Sequence, residues 1–311
     1  MGTPVRFGLR LPQDLTDPGA LRELAHTAER LGYHSLWLYD HFYHFPSPSS
    51  ERVLEPWTLM SVLAGATSTI RLGTLVLCNG YRPPALLAKM AATLDVLSGG
   101  RLEFGYGAGW HAEEFAGYGY PFPSVAARIR QMEEGLTVIK KLWTETRASW
   151  AGTHYRLADA ICEPKPVQRP HPPITIGGGG ERRLLRAVAR HADIWNYFPV
   201  PLPEFERKTA VLEEHCRAVG RDPASLDRSL LTPILTADWE KAVRDQLETA
   251  RAHGYFWAQA GYFVQGTPDI VVPRLQDYVR RGVTFFIVQL TDGRDLRQIE
   301  FVARHVMAEL V

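Results

Sequence analysis

Residues 84–110 read PALLAKMAATLDVLSGGRLEFGYGAGW. Leu86, Leu87, Met90, Ala91, Leu94 and Leu97 recur at helical spacing, so the first half forms a helix with one apolar stripe. Ser98-Gly99-Gly100 ends it, because glycine takes the left-handed backbone that a helix terminus favours. Arg101–Tyr106 then reads as a short strand, followed by a loop of small residues, Gly107-Ala108-Gly109, and Trp110. A helix, a strand and a small-residue loop at the strand's carboxyl end make up one unit of an α/β protein. Such loops are where α/β folds hold ligands.

The same unit recurs on both sides. Strand candidates are Val5–Leu9, Ser35–Tyr39, Arg71–Leu77, Arg101–Tyr106, Pro173–Ile176, Asp193–Asn196, Ser229–Leu235 and Phe285–Leu290. Helices separate them; Asp17-Pro18 opens the first, with Asp17 as the cap and Pro18 in the first turn. Further helices are read over Glu181–Arg190 and Asp295–Leu310. Alternation of this kind implies a mostly parallel sheet, and eight repeats in 311 residues fit either a (β/α)8 barrel or a doubly wound sheet. Between residues 147 and 173 the pattern breaks into a small hairpin and a proline-rich run, read as an insertion within a single domain covering 1–311.

Composition narrows the function. Hydrophobic residues make up 45% and charged residues 22% of the chain, and the net charge is +1. No long-range field therefore attracts nucleic acid or an anionic membrane, and no apolar run is long enough to span a bilayer. Cys78, Cys162 and Cys216 are three and scattered, with neither a disulfide framework nor zinc spacing. The expected setting is a reducing cytoplasm, with a small molecule as the partner.

Four strand ends hold residues suited to chemistry. Asp40-His41 follows the second strand; His41 could exchange a proton near neutral pH, or the pair could simply cap and solvate a turn. Thr74-Leu75 ends the third, and Cys78 nearby has no paired base. Ala108 and Gly109 follow the fourth, with Trp110 and His111 beyond them; glycines here let a flat ligand approach the backbone. Gly177, Gly178, Gly179 and Gly180 follow the fifth, a run with free N–H groups before a helix and hence an anion site. His41 and His44 are the nearest approach to a metal pair, but no further ligands fit, so no metal is expected.

The wording ATLDVLSGGR followed by a strand and GAGW resembles the bacterial luciferase-like superfamily, and within it the coenzyme F420-dependent oxidoreductases. That resemblance implies a TIM barrel, a homodimer, and hydride transfer between F420 and a small organic substrate. It implies that Asp40 contacts the deazaflavin region and that His41 sits where substrate protons move. It also implies a non-proline cis peptide at Thr74–Leu75 beneath the ring, and phosphate on Gly177–Gly180. Sugar-phosphate dehydrogenases of the group carry a glutamate where this chain has Trp110, which speaks against that activity here. Trp110, with Phe45 and His111, would instead wall the substrate pocket. Because F420 and flavin mononucleotide (FMN) share a ribityl phosphate, an FMN-dependent monooxygenase served by a separate reductase is the alternative. A non-catalytic flavin-binding barrel is a third.

Overall fold

The computed structural model describes residues 4–44 and 51–310. Eight parallel strands close on themselves: β1 (Arg6–Arg10), β2 (Ser35–Leu38), β3 (Arg71–Thr74), β4 (Leu102–Gly107), β5 (Ile174–Gly177), β6 (Ile194–Tyr197), β7 (Asp227–Leu235) and β8 (Val283–Gln289). Each pairs with the next, and β8 pairs back onto β1, with Arg6 opposite Phe285 and Gly8 opposite Ile287. This is a (β/α)8 barrel, so the doubly wound alternative falls away.

Helices α1 (Pro18–Arg30), α2 (Pro56–Ala66), α3 (Pro84–Leu97), α4 (Val125–Thr144), α5 (Leu184–His191), α6 (Leu202–Ala218), α7 (Pro268–Val279) and α8 (Leu296–His305) surround the strands. Asp17 caps α1 as its sequence suggests, accepting from Gly19 N–H at 2.7 Å. In α3 the buried face is Leu87, Ala88, Ala91 and Leu94, whereas Leu86 and Leu97 point outward at 54% and 76% exposure. The apolar stripe read from the sequence is thus split between two faces, because α3 is apolar nearly all round. Arg101 explains the end of the SGGR segment: its guanidinium donates to the carbonyls of Ala64, Thr67 and Ile70 and ties the α2–β3 connection to β4.

The insertion lies between β4 and β5, as expected. Ala148–Ala151 and Arg156–Ala160 pair antiparallel, and the proline-rich run is fastened by Gln168, which bonds Asp95 and the Leu102 carbonyl. A second insertion follows β7: helices Glu240–Ala252 and Phe256–Ala260, then a two-residue strand, Val264–Gln265. The helix Phe256–Ala260 has no counterpart in the sequence reading, because five residues carry no periodicity.

The barrel interior is layered. At the amino-terminal end Arg6 pairs with Asp227 at 2.5 Å and Arg71 pairs with Glu103. Above them the indole of Trp37, fully buried, fills the middle beside Phe285, Ile287 and Ile194. It occupies the space that a side chain on Gly8 or Gly73 would need, since a Cβ on either would lie 2.6 Å from the ring. Arg10 and Gln289 are next in the inward alternation and form the upper layer.

His34 sits in the lower layer, where burial and then the charges of Arg6 and Arg71 push its pKa from 6.5 down to about 4. The folded state therefore binds fewer protons than the unfolded one between those values. Stability should be full above pH 6.5 and fall as pH drops toward 4, by at most about 3 kcal/mol from this group. Urea unfolding at pH 7.5 and pH 5 checks this. His34→Gln should show a smaller loss than wild type; an equal loss would assign the effect elsewhere.

Candidate active site

A cleft of about 560 Å³ opens at the carboxyl ends of the strands. Leu38, Leu75, Leu231 and Leu290 line it with the rings of Tyr39, Trp110, Phe198, Tyr255, Phe256 and Trp257. Its polar wall includes Arg10, His41, His44, Gln289 and Thr291. A mostly apolar concavity with a few polar groups is the usual form of a small-molecule site. The run Tyr255-Phe256-Trp257 was the sequence signal for one wall; it was unreadable as such because its position over the barrel depends on the second insertion.

His41 is the best-organised polar group in the cleft. Its Nδ1 lies 2.7 Å from Oε2 of Glu114, which is wholly buried. The other carboxylate oxygen, Oε1, accepts from Phe42 N–H at 2.6 Å and Tyr43 N–H at 3.1 Å. The Tyr81 hydroxyl donates to Oε2 at 2.9 Å. Burial acts to raise the Glu114 pKa, but the bonds from His41 and from the two amides outweigh it, and the net direction is down. An ionised Glu114 accepts from Nδ1–H, so the assigned tautomer leaves Nε2 as the atom able to exchange a proton. Glu114 lies in the short helix Ala112–Gly117, 73 residues from His41; no spacing rule links the two.

Trp110 and His111 stand beside His41, with ring centroids 5.6 and 5.9 Å from it. His111 also approaches Glu114, Nδ1 to Oε2 at 3.4 Å. The ligand atoms of His41, His111 and Glu114 lie within 4.8 Å of one another, a spacing that could hold a metal ion. His44, the partner that sequence spacing suggests for His41, instead pairs with Glu51 at 2.8 Å. Phe45, expected in the pocket, lies outside the described residues.

Asp40 is buried behind the cleft wall with its oxygens engaged. It accepts from Cys78 N–H at 2.7 Å and from both ends of the Arg82 guanidinium at 2.8 and 3.0 Å. Burial raises its pKa above the usual carboxylate value, and the Arg82 guanidinium opposes that shift. With its oxygens taken up by Cys78 and Arg82, Asp40 ties the end of β2 to the segment that follows β3.

The non-proline cis peptide is Leu75–Val76, one residue beyond the expected Thr74–Leu75. Thr74 is still a ladder residue, opposite Leu38, so the irregularity starts after it. Gly73 faces Glu103 and Leu77 faces Tyr106, which leaves one more residue on the β3 side than on β4: a β-bulge. It carries Leu75 into the cleft. The glycines of β4 serve this bulge. A Cβ on Gly105 would lie 1.7 Å from the Thr74 carbonyl oxygen, and one on Gly107 would lie 2.5 Å from Val76. Ala108 and Gly109, expected from sequence to admit a flat ligand, are not part of the cleft wall, and Gly109 packs against Cys78 and Phe115.

The four-glycine run ends β5 beside the bulge, with Gly177 at 3.6 Å from Val76 as a Cβ would measure it. Not all its N–H groups are free. Gly177 pairs with Asn196 in the β5–β6 ladder, and Gly178 N–H donates to the Asn196 carbonyl at 2.9 Å. Gly179 and Gly180 donate no hydrogen bond among the described residues. The helix starts at Leu184, three residues later than the sequence suggests, after a turn at Glu181–Arg183. Lys208 reaches across from α6 to the Gly179 carbonyl at 3.0 Å and pins the loop.

The family profile described as luciferase-like monooxygenase matches residues 2–265. An F420-dependent glucose-6-phosphate dehydrogenase of Kineococcus radiotolerans is 29% identical over 92% of this chain and 91% of its own. An FMNH(2)-dependent dimethylsulfone monooxygenase of Pseudomonas putida is 34% identical over 57% of this chain and 47% of its own. Among solved structures, an F420-dependent secondary alcohol dehydrogenase in complex with an F420-acetone adduct superposes with a TM-score of 0.84. It shares 20% identity, covering 98% of this chain and 99% of that one.

Proposed function

The chain belongs to the luciferase-like monooxygenase family, and from that premise we propose that it is an oxidoreductase transferring a hydride between coenzyme F420 and a small organic substrate. The observation that carries this reading is His41, oriented by buried Glu114 and sharing one cleft with the Leu75 bulge. The residues present fit the cofactor. Leu75 offers an apolar support for a flat ring, and the unspent N–H groups of Gly179 and Gly180 suit a phosphate. The deazaflavin, when bound, supplies the site at which the hydride leaves or arrives.

The chain's own residues do the rest. Nε2 of His41 gives a proton to the substrate oxygen when the carbon gains hydride, or accepts it in the reverse direction. Glu114 holds the ring in position through Nδ1. Trp110 and the rings opposite exclude water from the reacting face. Asp40 acts indirectly, by fixing the backbone from which His41 projects.

A second reading, an FMN-dependent monooxygenase using oxygen and a separate reductase, is favoured by the Pseudomonas putida relative. Titrating the apoprotein with F420 and with FMN, followed by tryptophan fluorescence, separates the two. Selective F420 binding at micromolar or tighter concentration is the expected result. Selective FMN binding would replace the first reading with the second.

We further read the protein as a homodimer acting on small molecules. No helix among the described residues is long and apolar enough to cross a membrane. The outward faces of α2 and α3 carry Val62, Leu86 and Leu97, exposed at 53%, 54% and 76%. Helices apolar on both faces are ordinarily covered on both. Sedimentation should give a dimer in wild type and a monomer in Leu97→Glu; a wild-type monomer would end this reading.

A further inference from the structure

We infer that Arg10 is an anchor for a carboxylate on the substrate, so that the cleft takes flat apolar acids. This rests on the oxidoreductase reading and adds a substrate class to it. Arg10 ends β1 and faces the cleft. Its guanidinium lies over the Tyr39 ring, 4.5 Å from the centroid. With the Gln289 amide turned so that its oxygen accepts, that oxygen takes Arg10 Nη1 and Trp257 Nε1, each at 2.9 Å.

These contacts orient the guanidinium without neutralising it. An arginine offers five donors, and one is used here by a neutral acceptor. No carboxylate among the described residues pairs with Arg10. The one acid among the described residues that line the cleft, Asp14, is paired with Arg294. Glu114 is buried and already holds four donors. Arg10 is thus a charged, fork-shaped donor set in a largely apolar wall, and a carboxylate is the group that matches it in shape and charge.

Its position sets the other end of the substrate. The Tyr39 ring neighbours both groups, with the Arg10 guanidinium 4.5 Å and the His41 ring 5.8 Å from its centroid. A substrate with its carboxylate on Arg10 runs along Tyr39 and presents its reacting carbon to His41, several bonds away. Phe198, Tyr255 and Trp257 bound the path and favour a flat body.

Calorimetric titration with 2-naphthoate and 2-naphthamide, probes alike in size and different in charge, tests this. Wild type should bind naphthoate at least tenfold more tightly than the amide. Arg10→Met, checked for native circular dichroism, should erase the difference, and Arg10→Lys should keep part of it. Equal affinities in wild type, absent naphthoate binding, or a preference surviving in Arg10→Met would each overturn the inference. F420 titration of the same samples is the independent readout. Naphthoate preference without F420 binding keeps the anchor and removes the deazaflavin reading; F420 binding without the preference does the opposite.

Discussion

Replacing Gly105 by alanine should destabilise the protein by about 3 kcal/mol or more, the largest effect expected of any single methyl group here. The new Cβ would lie 1.7 Å from the Thr74 carbonyl oxygen, and backbone cannot swing away as a side chain can. Thr74 is held on its other side by β2, and its hydroxyl donates to the Gly105 carbonyl at 3.2 Å. Relief therefore requires β3 and β4 to part where the bulge carries Leu75 into the cleft. Thermal unfolding should show a fall of several degrees, together with weakened cofactor binding. Gly65→Ala is the control: this helical glycine has nothing within 4 Å of a built Cβ, so alanine should be neutral or stabilise by about 0.5–1 kcal/mol. A Gly105→Ala protein as stable as wild type would show that the bulge is not wedged as described.

His41→Ala should lower turnover about 10²- to 10⁴-fold while leaving cofactor affinity nearly unchanged. The ring touches Glu114, Trp110 and His111, none of which belongs to the glycine loop. Normal turnover would remove His41 from the mechanism. Glu114→Gln separates positioning from chemistry. A glutamine oxygen can still accept from Phe42 and Tyr43, but its amino group then faces the donors on Tyr81 and His41. His41 is left to turn Nδ1 into an acceptor, which puts the proton on the wrong nitrogen. The expected signature is a lower kcat with a shifted pH profile and unchanged KM, whereas a merely structural role would lower the folded fraction and leave the profile of the remainder intact.

The strand–helix alternation is legible because its signals are local, whereas closure into a barrel rests on the long-range pairing of Arg6 with Phe285 and is implied only by the family resemblance. Helix stripes, the Asp17 cap and the Ser98-Gly99-Gly100 stop each lie within a turn or two of what they specify. The site is less legible because its contacts are long-range. His41 could be singled out as a residue type at a strand end, but its partner is 73 positions away in a six-residue helix. The GYGAG segment was visible and its purpose was not: a glycine that admits a ligand and one that admits a neighbouring strand look the same until the neighbour is in place. The four-glycine run was half read, since an N–H counted along the chain is free only if no adjacent strand claims it, and Asn196 claims that of Gly178.

The upper layer of the barrel joins Arg10 on β1 to Gln289 on β8, across the seam where the sheet closes. During synthesis the edge of β1 that faces this seam has no native partner until residue 289 has left the ribosome, nearly 280 residues after Arg10. Seam formation is thus a late, high-contact-order event. Any ligand held by Arg10 and Gln289 together binds only the closed ring, so its binding energy adds to the stability of closure in proportion to occupancy. Such a ligand would leave the unclosed chain untouched and hold the seam shut once it has formed.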